Sequence, residues 1–214
     1  MKILNFSLFA CIWISSIVGF ASCKASLPVE STAPPCDEAV AQISTEYEEH
    51  KSLSDLELRN RTGHNRSYYE LVLGRHLISD ADLIAIRDSH AELAITLGAL
   101  AAAGRADRLS DLLRIGIPVD STSENGTPLI VVAAGCRRAA VMELLISAGA
   151  DIQAHDRQGL DSMAVAIVED SEEVAELLIS SGYSLEETSS SASNTKQLAQ
   201  KLHGGKYLRM LTTK

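Results

Sequence analysis

The chain has 214 residues, of which 46% are hydrophobic, 4% aromatic and 22% charged, a composition that fits one or two ordinary globular domains. Its formal net charge of −9 becomes −10 without residues 1–22, which carry Lys2 and no acid. Such an acidic surface repels phosphate backbones and anionic lipid headgroups, so we expect no nucleic acid among the partners.

The first 22 residues have the features of an export signal. Lys2 supplies a positive start, a mostly apolar run covers residues 3–20, and small residues precede Cys23. The run is short for a transmembrane helix and ends in small residues, so we favour a signal peptide over a retained membrane anchor.

Residues 20–23, with the sequence Phe-Ala-Ser-Cys, resemble the lipobox of bacterial lipoproteins, in which the cysteine carries lipid after cleavage. By this resemblance Cys23 is the lipidation site, and Lys24 suits sorting to the outer membrane. We therefore expect a periplasmic protein that meets the membrane only through an N-terminal lipid. Ordinary cleavage after Ala21 or Ala25 is the alternative, and it predicts a soluble periplasmic or secreted protein.

The segment 23–36 contains the lipidation site and a stretch rich in Ser, Thr and Pro, so we predict a flexible tether. Loss of the leader removes Cys11, and Cys23 is lipidated or lost, which leaves Cys36 and Cys136. In an oxidising compartment these two are the candidate disulfide. The alternative is a free Cys136 beside a helix and a frayed terminal thiol at Cys36.

Residues 37–90 show three or four short helical patterns without an internal repeat. Asp37 and Ser67 are candidate N-cap residues, Ser79 or Asp80 starts a third helix, and apolar side chains follow each at helical spacing. We expect these helices to form a cap on the open end of the repeated region that follows, over 91–214.

A pattern recurs in the repeated region with a period of 33 residues. Three pairs of residues mark the period: Gly126 with Gly159, Leu144 with Leu177, and Gly149 with Gly182. The pattern resembles the ankyrin repeat, a β-turn followed by two antiparallel helices. The resemblance covers roughly residues 91–211. It implies an all-α fold, an ankyrin-repeat solenoid of three to four helix-turn-helix repeats with an N-terminal helical cap.

The residues of the pattern predict where its helices begin and end. Thr127 is a candidate N-cap with Pro128 at the first helical position, and Asp161 or Ser162 takes the capping role one period later. Gly149 ends the second helix in a left-handed conformation. Compared with the family, these copies contain one extra residue, so we expect unusual turns at 135–138 and 168–171.

The resemblance also predicts a working surface, because ankyrin proteins usually bind other proteins with the fingertips and the inner face of the first helices. The fingertip residues at the matching positions are Ser121, Thr122, Ser123, Glu124, His155, Asp156, Arg157 and Gln158. Glu186 and Glu187 would extend that edge. Arg137 and Arg138 form a basic point that could pair with carboxylates of a partner. The alternative is that these polar residues are only solvated turns.

No pattern in the sequence indicates catalysis. The six His residues show no i,i+4 pairing for a metal, Cys36 and Cys136 lack a CxxC neighbour, and no Gly-rich phosphate loop is present. We therefore predict no enzyme, no metal and no cofactor. The alternative from the enzyme class places a site around His64, Tyr68 and His76.

Taken together, the resemblance and the leader predict a non-enzymatic protein-binding module in the bacterial envelope. Within that class we favour an inhibitor or immunity protein that neutralises a secreted toxin, because the chain is small, acidic and anchored. The alternative is an envelope scaffold or stress-tolerance factor that binds resident periplasmic proteins.

Overall fold

The computed structural model of the chain describes residues 35–74, 79–185 and 190–212. Within these residues the backbone forms twelve α-helices and two isolated β-bridges, which confirms the all-α class. The helices are α1 Pro35–His50, α2 Asp55–Thr62, α3 Arg66–Leu73, α4 Asp80–Asp88, α5 His90–Ala103, α6 Ala106–Arg114, α7 Leu129–Gly135, α8 Ala139–Ser147, α9 Ser162–Val168, α10 Glu172–Ser180, α11 Ser190–Lys201 and α12 Lys206–Thr212. None of these described helices has both the length and the apolar character needed to cross a membrane.

Several predictions lie outside the described residues. They concern the signal peptide, Cys23, most of the tether, His76, Glu186 and Glu187. The tether prediction is wrong at its end, because Pro35 and Cys36 already belong to α1 and Cys36 is buried.

From α5 onward the helices form four consecutive pairs. The two helices of each pair contact each other, as α5 does with α6 and α7 with α8. The first helices, α5, α7, α9 and α11, contact one another in that order, and so do the second helices, α6, α8, α10 and α12. Each pair therefore packs on the next through both of its helices.

Equivalent residues one period apart occupy the core of successive pairs. These fully buried residues are Leu100, Ala133, Ala166 and Ala199 in the first helices and Leu112, Leu145 and Leu178 in the second helices. Small alanines let neighbouring first helices approach closely. Each buried leucine in the second layer stabilises the fold by roughly 1.5–3 kcal/mol relative to an exposed one.

Left-handed glycines end the second helices. Gly116, Gly149 and Gly182 have φ of 95°, 90° and 95°. The N–H of Gly149 donates to the Ile146 carbonyl at 3.0 Å, so otherwise unpaired carbonyls at the end of α8 are satisfied. The predicted role of Gly149 is confirmed.

The starts of the first helices differ from the prediction in one copy. Helix α7 begins at Leu129 with Pro128 as its N-cap residue and has no side-chain cap, so the predicted role of Thr127 is wrong. One period later Asp161 caps α9 and accepts a hydrogen bond from the Ala164 N–H at 2.7 Å, as expected.

The N-terminal helices use partly different caps from those predicted. Helix α1 already begins before Asp37, and Asn65 rather than Ser67 caps α3 by accepting from the Tyr68 N–H at 2.8 Å. Ser79 caps α4 as predicted and forms a reciprocal capping box with Asp82.

The N-terminal helices also do more than close one end of the molecule. Helices α3 and α4 both contact α5, and α4 contacts α6 as well. Helix α1 packs against α3 and α5 and so covers part of the surface of these two helices.

Candidate partner-binding surface

Two hairpins of the same form precede α7 and α9. We name residues 121–128 the first hairpin and residues 154–161 the second hairpin. An antiparallel bridge joins Thr122 to Pro128 in the first, and the equivalent bridge joins His155 to Asp161 in the second. In each hairpin one residue N–H donates across the turn at 2.9 Å, from Ser123 to the Thr127 carbonyl and from Asp156 to the Leu160 carbonyl. The chain therefore repeats one local structure at an interval of 33 residues.

The predicted fingertip residues divide into two groups by exposure. Five of them are exposed: Thr122, Glu124, His155, Arg157 and Gln158. The other three, Ser121, Ser123 and Asp156, are partly buried. The exposed group presents hydroxyl, carboxylate, imidazole, guanidinium and amide groups at one edge of the molecule.

The partly buried fingertip residues hold the hairpins in shape. The Asp156 carboxylate accepts from the Gln158 and Leu160 N–H groups, each at 2.9 Å. The Ser121 hydroxyl donates to the Pro118 carbonyl at 2.6 Å. These two side chains are therefore engaged in local turns, which makes them weaker candidates for partner contact than the exposed five.

Contacts between neighbouring copies of the repeat, at the bases of the hairpins, help to fix the spacing of the hairpins. The Asp151 N–H donates to the Asp120 carboxylate at 2.9 Å, and the Gln153 amide donates to the Ser184 carbonyl at 3.3 Å. Sequence reasoning missed Asp120 and Gln153, although both are polar and lie exactly one period apart, which was a usable signal. The guanidinium of Arg157 also lies close to Gly126, where an added Cβ would stand only 2.9 Å from it.

The two arginines predicted as a basic point lie elsewhere. Arg137 and Arg138 follow α7, so the length of that helix, about 10 Å, separates them from the first hairpin. Arg138 pairs with Asp37 of α1 and donates to the Ala102 carbonyl at 2.8 Å, and Arg137 donates to the Glu169 carbonyl. The structure therefore does not bring these arginines together with the fingertip residues.

The helices at the N-terminal end bring an aromatic cluster close to the first hairpin. The His64 ring stacks on the Tyr68 ring with their centroids 4.2 Å apart. Burial lowers the pKa of His64, while the carboxylates of Glu46, Glu92 and Glu124 act in the opposite direction. The imidazole is therefore neutral near pH 7.

This cluster includes two of the three residues of the enzyme alternative. Tyr68 is only 2% exposed, and burial raises the pKa of its hydroxyl, so that hydroxyl stays protonated and out of contact with solvent. The third residue, His76, lies outside the described residues. Among the described residues, no three His, Cys, Asp or Glu side chains are grouped closely enough to hold a metal ion.

The structure joins Cys36 to Cys136 in a disulfide bond. Cys36 lies in the first turn of α1 and Cys136 directly follows α7, so the bond ties the N-terminal helix to the second helix pair. Both residues are almost fully buried, with exposures of 1% and 0%.

No family model matches this chain, and no curated protein matches it either.

Proposed function

We propose that this chain is an ankyrin-repeat solenoid that binds another protein and catalyses no reaction. The binding surface is the edge of the helix pairs that carries the first and second hairpins, which we call the hairpin edge. The observation that carries the proposal is the pair of hairpins, which have the same hydrogen-bonded form one period apart. Their exposed side chains all lie at the starts of α7 and α9, while the helices behind them pack pair on pair.

The hairpin edge is suited to recognition because it is held rigidly before a partner arrives. Asp120 and Gln153 each connect the base of one hairpin to the next segment of the chain. A surface that is already ordered loses little conformational entropy on binding, so more of the contact energy contributes to affinity.

The position of α1 restricts where a partner can bind. It packs on α3 and α5, so the surface of these helices that it covers is already occupied by the chain itself. We therefore propose that the partner contacts the exposed residues of the first and second hairpins. A specific complex of this kind buries about 1,600 Å² in total.

We further propose that the protein acts in the bacterial envelope as an inhibitor or immunity protein that neutralises a secreted toxin. The export signal and the lipobox-like segment support the location. The net charge of −9 supports electrostatic attraction to a basic target, with association rates that fall as salt is added.

Site-specific photocrosslinking in cells tests this proposal. A photoreactive amino acid replaces Thr122 or His155 on the hairpins, and matched controls replace Glu143 on α8 or Glu176 on α10, which are also exposed. We expect both hairpin positions to crosslink to the same protein and the two control positions to give no adduct. Equal crosslinking from all four positions, or none from the hairpins, would contradict the proposed surface.

The identity of the crosslinked protein tests the proposed role separately. The inhibitor proposal predicts a toxin, delivered by a neighbouring cell or produced by the same strain, whose activity the purified chain suppresses. Several resident periplasmic proteins among the adducts would instead support the scaffold alternative.

A further inference from the structure

The two ends of α1 carry its fully buried side chains. Among the described side chains of α1, only Cys36 and Tyr47 are buried, and they lie near opposite ends. Between them Ala39, Val40, Ile43, Ser44 and Glu46 are only partly buried, and Ala41, Gln42 and Thr45 are exposed. A helix that buries so few apolar side chains gains little stability from packing.

The C-terminal end of α1 is fixed by an aromatic and polar cluster. The Tyr47 and Tyr69 rings stack with centroids 5.3 Å apart, and the Tyr69 hydroxyl donates to the Glu46 carboxylate at 2.7 Å. Arg66 of α3 then donates to the carbonyls of Lys51 and Leu53, just beyond the helix. These contacts connect this end of α1 directly to α3.

The N-terminal end of α1 depends on a covalent contact. Cys36 is bonded to Cys136, and the neighbouring Asp37 pairs with Arg138, a partly exposed ion pair. Ion pairs of that kind contribute little, so the disulfide is the dominant constraint on this end. Without it, the first turns of α1 have the features of a segment that opens locally.

We propose that α1 is a cover over α3 and α5 and that the disulfide sets whether this cover is closed. With Cys36 and Cys136 bonded, α1 stays on α5. When both are thiols, the N-terminal half of α1 leaves while the helix pairs from α5 to α10 stay folded. Release would uncover Cys136 and the face of α5 beside it.

The chemistry of the cover is a thiol–disulfide exchange. Bond formation removes two electrons and two protons from the Cys36 and Cys136 thiols and transfers them to a partner disulfide, which becomes a dithiol. Both residues are buried once the bond has formed, so a dithiol in solution does not reach it in the folded chain. The closed or open state is therefore set by the redox conditions in which the chain folds. The inference does not depend on the proposed function.

Thiol labelling of the variant Cys36→Ser in the full chain tests this inference. The variant is treated with a maleimide under native conditions, and mass spectrometry of the peptide that contains Cys136 reports its modification separately from Cys11 and Cys23. We expect Cys136 to react at no less than about half of its rate in denaturant, because the open state dominates. A lower rate would show that the other contacts keep α1 closed and would overturn the proposal.

Hydrogen exchange on the same variant separates local opening from unfolding of the whole chain. We expect faster exchange in residues 37–43 and unchanged protection in α8 and α10; loss of protection in α8 and α10 would overturn the proposal. The control Asp37→Asn keeps the disulfide, and α1 should remain as protected as in the unmodified chain. Faster exchange in this control, equal to that of Cys36→Ser, would assign the closure to the ion pair and also overturn the proposal.

Discussion

At the scale of single residues, the turn between the two helices of each pair contains one residue in the left-handed backbone conformation. These residues recur at a constant interval along the chain. These residues are Gly104, Arg137, Asp170 and His203, spaced by 33 positions, with φ of 74°, 54°, 51° and 51°. Only the first is a glycine, for which this conformation carries no steric cost. The other three are held in place by contacts with neighbouring pairs, such as the hydrogen bond between the His203 ring and the Ile167 carbonyl at 2.8 Å.

Replacement of Arg137 by glycine and by alanine measures the strain at one of these positions. Both variants lose the side-chain hydrogen bond to Glu169, so the comparison isolates the backbone conformation. We expect Arg137→Gly to be more stable than Arg137→Ala by about 1 kcal/mol in urea denaturation, because only alanine has a Cβ that clashes at positive φ. Equal stability of the two variants would show that the turn has relaxed to an ordinary conformation.

Local sequence signals predicted the positions of these turns better than the identity of the capping residues. Because these copies of the repeat are one residue longer than is usual in the ankyrin family, we expected unusual turns at 135–138 and 168–171. Arg137 and Asp170, which lie in these turns, do adopt positive φ. The same reasoning failed at Thr127, because Pro128 itself occupies the N-cap position and α7 starts only after it. Pro128 has a ψ of 141°, which is extended rather than helical, so Thr127 lies one residue too early to cap the helix.

At the scale of elements, a buried carboxylate ties the third helix pair to the fourth. Asp161 is 2% exposed, caps α9, and accepts hydrogen bonds from the hydroxyls of Tyr183 at 2.7 Å and Thr195 at 3.1 Å. Burial raises the pKa of Tyr183, so its hydroxyl remains a donor. Thr195 belongs to α11, so this one side chain holds three segments together.

The variant Asp161→Ala tests this connection. It removes the cap of α9 and leaves two buried hydroxyls without their acceptor, which should lower the free energy of unfolding by about 3 kcal/mol. Urea denaturation measures the change, and hydrogen exchange should show that α11 loses protection first. The control Glu173→Ala, on the exposed side of α10, should stay within about 0.5 kcal/mol of the unmodified chain. An equally small change in the free energy of unfolding for Asp161→Ala would contradict the proposed connection between the third and fourth helix pairs.

The sequence predicted the repeated elements well and the placement of α1 poorly. Helices α7 to α10 follow from a local pattern of glycines and leucines that is written twice in the chain. The position of α1 depends on Cys36 and Asp37 contacting Cys136 and Arg138, about a hundred residues away. The sequence did supply Cys36 and Cys136 as a candidate disulfide, but the contact of Asp37 with Arg138 leaves no trace in local periodicity, so a terminal cap was the simpler expectation.

At the scale of the whole molecule, the two edges of the helix pairs differ in character. The edge that carries the hairpins joins neighbouring pairs and also presents exposed polar side chains, and the opposite edge joins neighbouring pairs as well. On that opposite edge Lys206 bonds to Asp170 at 3.0 Å and also pairs with Glu172, which attaches α12 to α10. We therefore expect the hairpin edge to be the side that a partner meets.

Pulsed electron–electron distance measurements test the stacked arrangement most directly. Spin labels are placed on the second helices at Ser110, Glu143, Glu176 and Arg209, which are exposed and spaced by exactly one period, with Cys11 and Cys23 replaced by serine. Neighbouring packed helices lie 8–10 Å apart, so distances from Ser110 should rise to about 20 Å at Glu176 and about 30 Å at Arg209. Distances that fail to grow with the number of intervening pairs would contradict a stack of helix pairs, and with it the shared edge on which the proposed function depends.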